Sequence, residues 1–177
     1  MKKQTKRTKL LITTMTLLLV AAGCRQEEPE SEQGMMANED VEHAQQLWSQ
    51  IKNYESWTVP EGFDGWQDGT SPHGSVLRYY VNNAAEQDLM SNGAVIVKEN
   101  YSEQSEDALQ SVTVMEKRQG YDPETKNWFY VKYSPDGKVM ENPQGAKLAG
   151  LVGKGAEAGC VPCHKTAGGD DYVFMND

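Results

Sequence analysis

Gly93-Ala94-Val95-Ile96-Val97-Lys98-Glu99-Asn100-Tyr101 is the run whose reading decides the fold. Its period is 2, not 3.6, and it is rich in β-branched residues. On an extended strand Ala94, Ile96 and Lys98 share one face, while Val95, Val97 and Glu99 share the other. Lys98 therefore ends an apolar row. Residues 75–81, 109–118 and 127–133 have the same character, with Val, Ile, Tyr, Phe and Trp prominent, and read as strands. Residues 83–90 read as a short helix between the first two strands. Ser134-Pro135-Asp136-Gly137 and Tyr121-Asp122-Pro123-Glu124 read as turns. Strands dominate the middle of the chain, so an antiparallel sheet with flanking helices is the expected architecture.

Upstream, the period lengthens. Asn38 is a plausible N-cap, with Glu39 and Asp40 in the first turn. Val41, Ala44, Leu47, Trp48 and Ile51 then fall on one helical face, expected to pack on the sheet. His43 lies off that stripe and is expected to be solvent-exposed. Residues 24–38 are acidic, lack aromatics and show no periodicity, which predicts a flexible tether.

Downstream of the strands, a Gly-rich stretch over 143–159 delivers Cys160-Val161-Pro162-Cys163-His164. Two thiols at this spacing can each add across a haem vinyl group, and the adjoining imidazole can reach the iron as proximal ligand. A redox dithiol should follow a strand in a βαβ pattern, whereas Gly-Lys-Gly-Ala-Glu-Ala-Gly precedes this pair. A zinc site needs further Cys or His ligands, and only His43 and His73 lie outside the motif. Covalent haem c is the expected cofactor. The fold class expected is α+β: mainly antiparallel β-sheet, an N-terminal amphipathic helix and a C-terminal haem-binding loop or helix, in one domain over residues 39–177.

Residues 1–9 carry five cationic side chains and no acid; residues 10–22 are apolar apart from threonines. That order predicts a secretory signal over residues 1–23, too short in its apolar core to span a membrane comfortably. Ala21-Ala22-Gly23-Cys24 resembles a bacterial lipobox, with Cys24 as the lipidated first residue of the mature chain. The expected protein is exported and lipid-anchored to a bacterial membrane, facing the periplasm or the cell exterior. One cysteine takes lipid and two take haem, which leaves none for a disulfide. The formal net charge of −9 argues against nucleic acid as a partner. Roughly 140 residues remain beyond leader and tether, enough for a single core.

His73-Gly74-Ser75-Val76-Leu77-Arg78-Tyr79-Tyr80-Val81-Asn82, Asn92-Gly93-Ala94-Val95-Ile96-Val97-Lys98-Glu99, Val114-Met115-Glu116-Lys117, Asn127-Trp128-Phe129-Tyr130, the haem motif and Asp171-Tyr172-Val173-Phe174 follow one another in a familiar order. Together they resemble the cytochrome P-460 family, which also contains the cytochrome c′-beta proteins, over most of residues 57–174. In the hydroxylamine-oxidising members a lysine at the place of Lys98 bonds covalently to the haem macrocycle. Desolvation at the end of an apolar row would leave such a lysine neutral and nucleophilic; alternatively its head reaches water. Arg78 matches an arginine near the haem, for a propionate or the distal side, or else it forms a surface salt bridge.

Those members also place a glutamate over the iron to relay protons, and Glu116 is the acid in the matching strand here. It shares a face with Val112 and Val114, opposite Thr113, Met115 and Lys117. Which face looks at the iron stays open at this level. If Met115 does, the distal side is apolar or the sulfur becomes a sixth ligand. Three functions follow: oxidation of hydroxylamine with electrons passed to a redox partner protein; binding of nitric oxide or another gas ligand in a pocket crowded by Phe63 or Phe129; or electron transfer with a six-coordinate iron, through Met115 or His73. The resemblance also implies a homodimer.

Overall fold

The computed structural model describes residues 32–176. The leader over 1–23, the lipidation site Cys24 and the first part of the tether lie outside the described residues. Helix α1 runs over Glu32–Ile51 and so begins before Asn38. Residues 32–38, expected in the tether, are helical: Glu32, Gln33, Met35, Met36 and Ala37 are good helix formers and together outweigh Gly34, and no proline interrupts the run.

Six strands follow: β1 (Gln67–Asp68), β2 (Val76–Val81), β3 (Val95–Tyr101), β4 (Leu109–Lys117), β5 (Trp128–Tyr133) and β6 (Ala149–Gly150). They form one sheet in chain order, each antiparallel to the next. The four long strands lie where the period-2 runs predict them, and the short edge strands β1 and β6 are additions. The protein is α+β. Helix α2 (Asn83–Gln87) bridges β2 and β3. Asn82 caps it by accepting from the Ala85 N–H, accepts also from Val95 N–H, and donates its amide to the Gly93 carbonyl.

Register divides the sheet into two chemically distinct faces. Val97 pairs with Val114, Lys98 with Thr113 and Met115 with Tyr130, and paired residues project to the same side. On one side Val95, Val97, Val112, Val114, Phe129, Val131 and Tyr133 meet Ala44, Leu47 and Ile51 of α1. Each large side chain buried here stabilises the fold by about 2 kcal/mol. The Tyr133 hydroxyl donates to the Ala44 carbonyl at 2.6 Å, and the Tyr121 hydroxyl to Asp40 Oδ1 at 2.8 Å. On the other side Ile96, Met115, Trp128 and Tyr130 meet Val161, Tyr172 and Val173 from the C-terminal segment.

His43 corrects an expectation. It is half-buried rather than exposed, bonded through Nε2 to Glu116 and packed edge-on against Phe129 with ring centroids 4.8 Å apart. A position beside the apolar stripe still touches the sheet when the helix lies flat on it. The same face holds Glu99, 2% exposed, whose carboxyl group accepts from the hydroxyls of Tyr54 and Tyr101 at 2.8 Å each and Tyr80 at 3.3 Å.

Candidate functional site

The segment carrying the two thiols is delivered by a folded-back glycine loop. Gly159 has φ 143° and ψ −175°, and a Cβ there would lie 2.7 Å from both Gly153 Cα and the Val152 carbonyl oxygen. That backbone conformation is open essentially to glycine alone. Val161 N–H donates to the Val152 carbonyl at 3.1 Å, and the Val161 side chain is buried against the sheet. A single helical turn, α3 (Cys160–His164), then presents both sulfurs and the imidazole on one short element. Gly159→Ala is expected to cost about 2 kcal/mol or more and to lower the yield of stably attached haem. Urea unfolding and the haem retained after acid–solvent extraction are the measurements.

Cys160 and Cys163 are not joined to each other. Burial pushes the Cys160 thiol up to about 11, so it is held protonated. His164 is buried, and its Nδ1 donates to the Tyr172 carbonyl at 2.9 Å. Burial lowers its pKa to about 4. The ring is therefore neutral with its Nε2 lone pair free, the state in which an imidazole ligates a metal. The carbonyl that orients it belongs to a residue with φ 69°, a strained value for tyrosine. Neighbouring bonds hold that strain in place: Trp128 Nε1 donates to the Asp171 carbonyl at 2.8 Å, and the Tyr172 hydroxyl to the Glu124 carbonyl at 3.1 Å.

The cavity between this segment and the sheet is lined mainly by apolar atoms, from Phe63, Ile96, Met115, Leu148 and Val173 among others. Lys98 lines it together with Cys160, Cys163 and His164, and desolvation lowers its amine to about 8. The lysine head lies 5.6 Å from the centre of the Tyr79 ring. Met115, Thr113 and His73 also reach the cavity. Tyr130 is among the lining residues, and its hydroxyl is buried without a hydrogen-bond partner. Such an orphan is costly unless a bound group satisfies it.

Three sequence expectations fall outside this cavity. Glu116 is on the α1 side with His43, because its face is that of Val114. Arg78 pairs with Glu106 at 2.6 Å and stacks 5.1 Å over Trp66, on the face it shares with Tyr80. Phe129 is fully buried against α1, whereas Phe63 does line the cavity, packed on Tyr79 at 4.8 Å. The sequence reading missed Asn100, which holds His73, and Tyr172, which orients His164. Asn100 could have been found by alternation, two residues beyond Lys98 on the same face.

Two thiols on one turn, a neutral imidazole with a free Nε2, apolar walls and an orphaned buried hydroxyl suit a large flat cofactor with an iron and polar edge groups, and they define a c-type haem protein. The match to known sequences agrees. The family model described as Cytochrome P460 matches residues 51–175, and the chain belongs to that family. A comparison with curated proteins found no match.

Proposed function

We propose that this is an exported, lipid-anchored protein carrying one haem c, linked through Cys160 and Cys163, which oxidises hydroxylamine to a nitrogen oxide. Electrons would pass to a redox partner protein. The observation that carries this reading is the Lys98 amine, desolvated within the same cavity as both thiols and His164. The haem, when bound, supplies the iron centre and the electron chemistry. His164 would hold the iron from its free Nε2, and Tyr172 keeps that ring aimed. Lys98 would stand beside the bound macrocycle as a desolvated, nucleophilic amine, placed to bond to it covalently. The apolar walls keep water from competing with a small substrate. The leader over 1–23 and Cys24 support export and anchoring, and pairing as a homodimer belongs to the same proposal.

A second reading, binding of nitric oxide or a similar gas, is favoured by one specific observation. No carboxylate is among the cavity-lining residues, and Phe63 and Met115 crowd it. The optical spectrum of the chemically reduced holoprotein separates the two. A Soret band far to the red of ordinary haem c supports a lysine-modified macrocycle, and anaerobic hydroxylamine with an electron acceptor should then yield a nitrogen oxide. An ordinary haem c spectrum with no turnover would leave the gas-binding reading in its place.

A further inference from the structure

His73 stands in the turn ahead of β2 and lines the same cavity as His164. The two ring centroids are 6.4 Å apart and the planes meet at 87°. Two imidazoles bound to one metal through bonds of ~2 Å would have their ring centres roughly 6 Å apart. The spacing found here is therefore that of a pair able to share an iron.

The tautomer of His73 can be deduced from its neighbours. Asn100 accepts at Oδ1 opposite His73 Nδ1, at 3.0 Å. Its orientation is set by its amide nitrogen, which faces three acceptors: the Lys98 carbonyl at 3.1 Å, the Ser111 carbonyl at 3.0 Å and Thr113 Oγ1 at 3.2 Å. The Thr113 hydroxyl spends its own proton on the Lys98 carbonyl at 3.3 Å. Asn100 Oδ1 can therefore only accept, so His73 Nδ1 carries the proton and Nε2 carries the lone pair. His164 is prepared in the same way, with its Nδ1 proton on a carbonyl and its Nε2 free. Metal-binding histidines are commonly prepared like this.

We propose that His73, held by Asn100, is the second axial ligand of the haem iron in the resting ferric protein. A small ligand or substrate then reaches the iron only by displacing it. The proposal requires haem c at this site but not hydroxylamine turnover: the Soret position reports on Lys98, and the iron spin state reports on His73.

The test uses the ferric holoprotein without added substrate. Low-temperature EPR should show a low-spin iron with strongly anisotropic g values, because nearly perpendicular imidazole planes leave the iron d orbitals that they perturb close in energy. His73→Ala should become high-spin, and added imidazole should restore the low-spin signal. His73→Gln, a milder change in the turn, should also be high-spin. Cyanide should bind either variant at least tenfold faster than it binds the unaltered protein. A high-spin unaltered protein would overturn the proposal. So would a low-spin signal that survives both substitutions with a thioether–iron charge-transfer band, which would assign the position to Met115.

Discussion

Lys98→Met is expected to attach haem normally through Cys160 and Cys163, yet to show the Soret band of ordinary haem c and to lose hydroxylamine oxidation at least a hundredfold. Methionine keeps the length and apolar bulk of the side chain while removing the nitrogen that would join the macrocycle. The same change should stabilise the haem-free chain. Burial lowers the Lys98 amine to about 8 from an ordinary value near 10.4, a penalty of about 3 kcal/mol at neutral pH. The sign is that of a base whose folded pKa is depressed. The penalty is fully present below about pH 8, shrinks as pH rises, and is gone above the unfolded value. Urea midpoints of the two haem-free chains should thus differ most near neutrality and converge in alkali.

The proposed bond between Lys98 and the macrocycle should carry the same signature in its rate of formation in the unaltered protein. With the amine at about 8, its neutral fraction rises about tenfold between pH 7 and pH 9 and then levels off. A solvated lysine would gain about a hundredfold over that interval and keep climbing. Following the red-shifted band after haem loading at several pH values distinguishes the two. A site that costs stability and supplies reactivity is the familiar trade-off of functional positions.

The second large effect is on the opposite face. Glu99→Ala is expected to destabilise the protein by about 4 kcal/mol, because three buried tyrosine hydroxyls lose their common acceptor at once. With a urea dependence of about 2 kcal/mol per molar for a domain of this size, the midpoint should fall by about 2 M. The hydroxyls of Tyr54, Tyr80 and Tyr101 are already pushed up by burial and by the Glu99 charge, Tyr80 to about 12. They cannot ionise to compensate at ordinary pH. Tyr54→Phe removes one donor and should cost only about 1 kcal/mol. A small loss for Glu99→Ala would show that water fills the gap. The haem spectrum should be unchanged in either variant, since Glu99 lies across the sheet from the cavity.

The alternation of Ala94, Ile96 and Lys98 against Val95, Val97 and Glu99 is legible in the sequence alone, and the sheet has both faces as the alternation predicts. So is the α1 stripe of Ala44, Leu47 and Ile51 legible, because helical period and burial agree there. What alternation could not reveal was which face of β4 continues the Lys98 face of β3. That depends on register, and the ladder shifts between Asn100 and Tyr101, where Tyr101 meets Leu109 across an irregular turn. One extra residue at such a shift exchanges the faces. Glu116, a candidate through the family resemblance, and the Thr113/Met115 face therefore stayed open together, and the fold projects Met115 and Thr113 into the cavity. The Tyr172 carbonyl was hidden for a different reason. A backbone acceptor has no letter in the sequence, and a tyrosine at positive φ is a tertiary compromise no local propensity announces.

The chain-order meander bears on how the protein is made. Strand neighbours are sequence neighbours, so each pairing closes a short loop and the sheet can grow as the chain emerges. Both α1 and all six strands precede the thiols. The wall of the cavity can thus be standing while residues 151–176 are still extended and open to whatever installs the cofactor. The final turn need only close over it, bringing the Tyr172 carbonyl to His164 last. Cofactor loading then becomes the closing act of folding, not its nucleus.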